Sequence, residues 1–122
     1  MRVWVSPSRG QIVVTPRGEL DVASAPRLTT GITRALYETL EATSLVLDLA
    51  EVSFIDSSGV KVVIHARRLL GEREGHVVVC NAQPAVHRVL TLLGIGSLAT
   101  VHPVPDPLPE VARRPASVPG SV

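Results

Sequence analysis

Apolar and polar positions at the start of the chain form two short runs that are rich in β-branched residues. The runs cover residues 3–5 and 11–15, and the segment between them, residues 6–10, contains a proline and a glycine. Two such runs joined by a five-residue loop predict a β-hairpin. Pro16 has no amide hydrogen to donate, so we expect it at a strand end or on a sheet edge.

Apolar positions then recur at a helical spacing. Gly18-Glu19-Leu20-Asp21 leads into this segment, where Asp21 or Ser24 can cap a first helix and Pro26 fits its first turn. Gly31 within the helix costs about 1 kcal/mol relative to alanine, which indicates close packing against a sheet. The apolar face of this helix is predicted to comprise Ala25, Leu28, Ile32, Ala35, Leu36 and Leu40.

The central stretch, residues 45–70, is the most informative part of the chain. Residues 45–49 are almost entirely apolar and predict a buried strand. A short connector with Phe54 and Ile55 follows, and Asp56-Ser57-Ser58-Gly59 then opens a second helix. Free N–H groups and the positive end of the helix dipole at such a terminus favour an anion.

An advance of 100° per residue divides this second helix into two faces. The inward face is predicted to comprise Gly59, Val62, Val63, Ala66 and Leu70. The outward stripe is predicted to comprise Ser57, Lys61, Ile64 and Arg68. A hydroxyl, two cations and an exposed isoleucine suit a protein-docking face. The same residues also suit ordinary helix capping and solubility, and the periodicity does not decide between these interpretations.

The remaining pattern predicts one more strand, one more helix and a final short strand. Residues 76–80 form a nearly all-apolar strand that ends at Cys80, which we expect to be a small core residue. A third helix starts around Asn81 and Pro84, with Asn81 or a neighbour as its cap, and ends at Gly94. Residues 98–102 form the last strand. The apolar stripe of the third helix is predicted to comprise Val86, Val89, Leu90 and Leu93.

The order of these elements is β-β-α-β-α-β-α-β, which predicts an α/β fold. We expect a mixed, mostly parallel sheet of about five strands with helices packed on it and right-handed crossovers. Residues 1–102 are predicted to form one domain. Residues 103–122 contain six prolines and are predicted to form a largely disordered tail.

Composition and charge narrow the classes of function. The chain has 122 residues, a net charge of +1 and only 2% aromatic residues, so neither nucleic acid nor a membrane surface is an expected partner. One cysteine excludes an intrachain disulfide, and no apolar run is long enough for a signal peptide or a membrane span. These features predict a soluble cytoplasmic protein whose partner is a protein or a small molecule.

An enzyme would need Ser57 or Ser58 as a nucleophile, but the motif lacks the first glycine of Gly-x-Ser-x-Gly. By angle, His65 points away from the Ser57 stripe, which makes it a poor base. The four histidines lie on separate elements without the spacing of metal ligands. No Gly-x-x-x-x-Gly-Lys loop is present for a nucleotide. We therefore expect no catalytic activity, no metal and no cofactor.

A phospho-acceptor aspartate, Asp48 or Asp56, would need an acidic pocket that the first strands do not supply.

Four motifs together resemble the STAS domain family, and within it the bacterial anti-sigma factor antagonists. They are Gly18-Glu19-Leu20-Asp21, residues 45–59 with Phe54-Ile55-Asp56-Ser57-Ser58-Gly59, residues 76–80, and Pro84-Ala85-Val86. The resemblance implies that the protein binds an anti-sigma factor that is also a serine kinase, and so releases a sigma factor. It further implies that the kinase ends this binding by phosphorylating Ser57 and that a serine phosphatase restores it.

The resemblance also assigns roles to single residues. It implies that Asp56 supports recognition by the kinase and that Ser58 is the neighbour that is usually not modified. The motif residues and the outward stripe of the second helix together predict a partner-binding surface of Asp21, Asp56, Ser57, Ser58, Gly59, Lys61, Ile64 and Arg68. Lys61 stands where relatives often carry glycine, which could alter the kinase that is recognised. The proline-rich tail replaces a C-terminal helix that is common in the family. Family members that act as unphosphorylated scaffolds or as subunits of transport complexes remain alternatives, and a serine hydrolase is a remote one.

Overall fold

The computed structural model describes residues 1–102, so the prediction for residues 103–122 lies outside the described residues. Six strands, three helices and one 3-10 turn form along this part of the chain. They are β1 (Arg2–Ser8), β2 (Gln11–Leu20), α1 (Ala25–Glu38), β3 (Ser44–Asp48), β4 (Val52–Ile55), α2 (Ser57–Gly71), β5 (His76–Cys80), α3 (Pro84–Leu92), the turn Ile95–Ser97 and β6 (Thr100–Val101).

The strands form one mixed sheet in the order β1-β2-β3-β5-β6, with β4 also paired to β2. β1 runs antiparallel to β2, and every other pair of strands in residues 1–102 is parallel. Parallel neighbours need crossover connections, and α1, α2 and α3 supply them. The predicted α/β fold with a mostly parallel sheet is therefore confirmed.

The segment predicted as a connector after the central strand is instead a strand, β4. Because β2 is ten residues long, its first part pairs with β3 and its last part, from Gly18, pairs with β4. Pro16 lies inside β2 between these two parts, so its prediction as a strand end or edge residue was wrong. Residues 15–17 pair with neither β3 nor β4, and on that side of β2 a proline costs no ladder bond.

The core forms between the sheet and the inward faces of α1 and α2. All five residues predicted for the inward face of the second helix are buried. Gly31 of α1 brings the helix close to β1, since a Cβ there would lie 3.5 Å from Val3 Cγ1. Leu40 was predicted to belong to the apolar face of α1, and this prediction was wrong. It is 70% exposed because α1 ends at Glu38.

The start and end of α3 differ in detail from the prediction. Gln83, not Asn81, occupies the N-cap position, and its side chain makes no capping hydrogen bond. Asn81 has a left-handed φ of 62° and donates through Nδ2 to Asp48 Oδ1 over 3.1 Å. Leu93 is 40% exposed because the helix has ended before it, whereas Ile95 is buried. Gly94, with φ of 74°, follows the helix as predicted.

Arg73, in the polar break after α2, secures the end of α1. Its guanidinium donates to the carbonyl oxygens of Leu36 over 2.6 Å, Thr39 over 2.9 Å and Ala42 over 3.0 Å. The last carbonyl groups of a helix have no partner within the helix, so a cation there satisfies their charge and their hydrogen bonding. One half-buried side chain thus joins the ends of the two helices.

Candidate functional site

The N-terminus of α2 is shaped by the Asp56-Ser57-Ser58-Gly59 motif. Asp56 has an extended backbone (φ −132°, ψ −165°) and serves as the N-cap. Its Oδ1 accepts a hydrogen bond from the backbone N–H of Ser58 over 2.8 Å. Ser57, the first residue of the helix, is exposed, and within residues 1–102 its hydroxyl makes no hydrogen bond to another residue. The capping role therefore belongs to Asp56, which leaves the Ser57 hydroxyl free for other chemistry.

Gly59 lets α2 begin close against the two strands beneath it. A Cβ at this position would lie 2.6 Å from Cδ1 and Cγ1 of Ile55 and 3.2 Å from Cδ2 of Leu20. Both neighbours are buried and cannot swing away freely. Only glycine therefore allows the first turn of α2 to rest on β4 and β2 at this distance.

The pairing of β2 with β4 brings Asp21 beside the start of α2. Leu20 and Ile55 are paired at the ends of these parallel strands, and the backbone N–H of Asp56 donates to the carbonyl oxygen of Leu20 over 3.3 Å. Asp21 directly follows Leu20 in the chain, and Asp56 directly follows Ile55. The backbones of Asp21 and Asp56 therefore lie side by side at the start of α2, although 35 positions separate them in the sequence.

A compact turn fixes the carboxylate of Asp21. Its Oδ1 accepts hydrogen bonds from the backbone N–H groups of Ala23 and Ser24, each over 3.0 Å. The Ser24 hydroxyl donates to the Glu19 carbonyl oxygen over 2.6 Å and accepts from the Asp21 N–H over 3.0 Å. The bond from the Ser24 backbone holds the pKa of Asp21 below its usual value, with smaller contributions from the Ser24 hydroxyl and the Ala23 backbone. Asp21 therefore stays ionised at neutral pH.

The outward stripe of α2 is exposed as the periodicity predicts. Lys61 and Arg68 are exposed, and Ile64 is 36% exposed. With Ser57 they form a continuous strip along the helix, because residues three and four apart share one face. Nothing within residues 1–102 covers this strip.

Two exposed apolar residues adjoin the site and escaped the sequence reasoning. Phe54 on β4 is 47% exposed, and Val22 in the turn after Asp21 is 78% exposed. Strand alternation places Phe54 on the face opposite Ile55, but Val52 on the same face as Phe54 is buried. Neither Phe54 nor Val22 therefore carries a signal in the sequence that predicts its exposure.

The surroundings of His65 and Cys80 bear on the enzyme alternative. His65 Nε2 lies 2.7 Å from Oγ1 of Thr33 on α1, so its ring is turned towards the neighbouring helix. Cys80 is half-buried, and burial, with a smaller effect of the Asp48 charge, raises the pKa of its thiol to about 11. Its thiol therefore stays protonated at neutral pH and is a weak nucleophile.

The surroundings of Asp48 do not suit the role of a phospho-acceptor. Asp48, one of the two aspartates considered for that role, is only 4% exposed and accepts hydrogen bonds from Ala50 N–H and Asn81 Nδ2.

In the part of the chain that the structure describes, no group of three histidine, cysteine or acidic side chains is placed to hold a metal ion. Among these residues, no helix is long and apolar enough to cross a membrane.

Comparison with known proteins places these features in a family context. The sequence model of the STAS domain family matches residues 4–106. An anti-sigma F factor antagonist from Paenibacillus polymyxa is 26% identical over 102 residues, which cover 84% of this chain and 86% of that relative.

Two solved structures of similar proteins share the fold. A crystal structure of an anti-sigma factor antagonist from Mycobacterium paratuberculosis superposes with a TM-score of 0.72 at 29% identity, over 84% of this chain and 85% of that one. The anti-sigma factor antagonist SpoIIAA in its unphosphorylated form superposes with a TM-score of 0.70 at 25% identity, over 84% of this chain and 89% of that one.

Proposed function

The chain belongs to the STAS domain family, and from that premise we propose that it is an anti-sigma factor antagonist controlled by phosphorylation of Ser57. In the active state it binds an anti-sigma factor and so releases a sigma factor. The anti-sigma factor is also the serine kinase that modifies Ser57, and a serine phosphatase reverses the modification. The relatives described above, which are anti-sigma factor antagonists, support the first part of this proposal.

One observation carries the switch: Ser57 is exposed at the first position of α2 while Asp56 holds the N-cap. The serine is thus accessible to a kinase, and its modification removes no hydrogen bond within residues 1–102. A phosphate adds about −1.5 to −2 charges at neutral pH, and a helix N-terminus favours negative charge. The fold therefore tolerates the modification.

We propose that the partner contacts an α2 docking surface, defined as Asp21, Asp56, Ser57, Ser58, Gly59, Lys61, Ile64 and Arg68. Gly59 is buried, so its role is to hold the others in place. Phe54 and Val22 extend this surface, because exposed apolar side chains beside a polar site supply contact area for a protein partner.

Release of the partner follows from charge and shape. Asp56 directly precedes Ser57 and Asp21 lies beside Asp56, so a partner that docks here must tolerate negative charge. A phosphate on Ser57 adds like charge and bulk at the centre of the contact. A difference of about 1.4 kcal/mol in binding free energy changes the affinity tenfold, so a few kcal/mol suffice to dissociate the complex.

Phosphate mapping tests the proposal. The protein is incubated with ATP and the anti-sigma factor kinase encoded nearest to it in its genome, and the phosphate is located by mass spectrometry. We expect modification at Ser57, none in Ser57→Ala, and weaker binding of the modified protein in calorimetry. A kinase that phosphorylates another substrate but leaves Ser57 unmodified would exclude the switch. Partner binding without modification would then favour an unphosphorylated scaffold, and ester hydrolysis lost in Ser57→Ala would favour an enzyme.

A further inference from the structure

A groove of about 860 Å³ lies between β1 and α1, away from the outward strip of α2. Its floor is apolar and is formed by Val3 and Val5 of β1 and by Gly31 and Ala35 of α1. Gly31 contributes no side chain to this floor, and a Cβ there would lie 3.5 Å from Cγ1 of Val3. This groove plays no part in the function proposed above.

One wall of the groove is the free edge of the sheet. Within residues 1–102, β1 pairs only with β2, and it stands at the end of the strand order. The backbone groups on the outer side of an edge strand are available to another extended chain. A groove between an edge strand and a helix suits strand addition, in which backbone hydrogen bonds give affinity and alternate side chains enter the groove.

The other wall of the groove is basic. Arg27 and Arg34 lie on α1 along the groove, and Arg2 lies on β1. Among residues 1–102, Glu38 is the one acidic residue that lines the groove. Arg27 is held at the mouth, since its guanidinium donates to the Met1 carbonyl oxygen over 3.1 Å. Arg27 and Arg34 are seven residues apart, or roughly 10.5 Å along the helix. Both cations therefore lie beside the length of one short strand.

We propose that this groove receives an extended segment of a partner protein that carries acidic and apolar side chains and adds to β1 as a strand. The excess of three arginines over one glutamate selects carboxylates, and the apolar floor selects an aliphatic side chain between them. Acidic residues four apart on a strand lie on one face, about 13 Å from each other, which is comparable to the spacing of the two arginines on α1.

The test uses a fluorescein-labelled hexapeptide, Glu-Thr-Val-Thr-Glu-Thr, in fluorescence anisotropy with the full chain. The two glutamates and the valine share one face, as the groove requires. We expect binding that weakens as salt is raised, and at least tenfold weaker binding of the counterpart in which lysine replaces glutamate. Equal binding of the two peptides, or no binding of the acidic peptide at millimolar concentration, would overturn the proposal.

Variants locate the bound peptide. Arg27→Glu/Arg34→Glu reverses the basic wall, and Thr30→Trp fills the groove from an exposed position of α1. Each is expected to weaken peptide binding at least tenfold. Arg67→Glu/Arg88→Glu, the same charge change at exposed positions of α2 and α3 outside the groove, is the matched control and leaves peptide binding unchanged. Circular dichroism and thermal unfolding establish that the variants are folded. Unchanged binding by folded Thr30→Trp and by the folded double variant would place the peptide elsewhere.

Two other occupants give distinct results. If a chain that ends at His102 binds the peptide at least tenfold more tightly than the full chain, the protein's own tail occupies the groove. If sedimentation shows a dimer of the full chain that Arg27→Glu/Arg34→Glu dissociates, a second copy occupies it. Either result would overturn the assignment of the groove to a partner protein.

Discussion

The carboxylate of Asp56 accepts the backbone N–H of Ser58 over 2.8 Å, and this bond passes over Ser57 without involving its side chain. The sequence alone left open whether the serine caps the helix or carries a function. In the structure, the neighbouring aspartate is the cap. Because Asp56 caps the helix and Ser57 does not, substitutions at the two positions can separate effects on stability from effects on partner binding.

Ser57→Asp should weaken binding of the anti-sigma factor at least tenfold while leaving the free energy of unfolding within about 0.5 kcal/mol of the parent. An acidic residue in the first turn of a helix is favourable, whereas the added charge opposes docking. Calorimetric titration and urea unfolding measure the two effects. Ser57→Asn is the matched control, because it adds similar bulk without charge. A large loss of stability in Ser57→Asp would show that the serine is mainly structural.

Asp56→Ala should lower the free energy of unfolding by about 1 kcal/mol, because the Ser58 N–H loses its acceptor. Asp56→Asn keeps an oxygen at the cap and should change stability by only a few tenths of a kcal/mol. Both variants should be phosphorylated more slowly if the kinase reads the charge of Asp56. Normal phosphorylation of Asp56→Asn beside slow phosphorylation of Asp56→Ala would show that the aspartate acts only as a cap.

Gly59→Ala should destabilise the protein by about 1 to 3 kcal/mol, since the new Cβ would overlap the buried Ile55 side chain. Gly71, the last residue of α2, is the matched control. A Cβ there meets nothing within 4 Å, so Gly71→Ala should stabilise by about 0.4 to 1 kcal/mol. Thermal and urea unfolding measure both changes. Equal stability of the two variants would contradict the close packing at Gly59.

Arg73→Ala should lower the free energy of unfolding by about 1 to 3 kcal/mol, because three carbonyl groups near the end of α1 lose their shared donor. The free energy of unfolding of Arg73→Lys should lie between those of the parent and Arg73→Ala, since an ammonium group cannot reproduce the planar arrangement of donors. Arg67→Ala, at an exposed position of α2, should change stability by less than about 0.5 kcal/mol. If Arg67→Ala lowered the free energy of unfolding as much as Arg73→Ala, the loss would come from a general effect of charge and not from the hydrogen bonds of Arg73.

Asp21 should contribute to the pH dependence of stability in acid. Its pKa in the folded protein lies below the ordinary value of 3.8, chiefly because of the bond from the Ser24 backbone. Around pH 3.8 the unfolded chain therefore binds more protons at this group than the folded protein does. Its stabilising contribution is therefore present above pH 3.8 and is lost as the pH falls towards the folded-state pKa. Urea unfolding of the parent and Asp21→Asn between pH 6 and acid pH measures it. The difference between them should shrink as the pH falls, and a constant difference would contradict this origin.

Sequence and structure agree best where the evidence is local. The division of α2 into a buried and an exposed face follows from its periodicity, because each side chain's direction depends only on the helix it belongs to. The buried strands β3 and β5 were likewise recognisable from continuous apolar runs. The exposed apolar Leu40 and Leu93 were misassigned for the same local reason: the periodicity continues in the sequence beyond the point where each helix ends.

The sequence by itself determined the α/β class, the inward face of α2 and the exposed position of Ser57. Only the tertiary structure decided that residues 52–55 form a strand, that this strand brings Asp21 beside Asp56, that Arg73 secures the end of α1, and that β1 and α1 enclose a basic groove. Each of these features joins residues that are distant in the chain. Their contacts depend on how strands pair and helices pack. A local pattern of apolar and polar positions does not specify which distant segments pair or pack together.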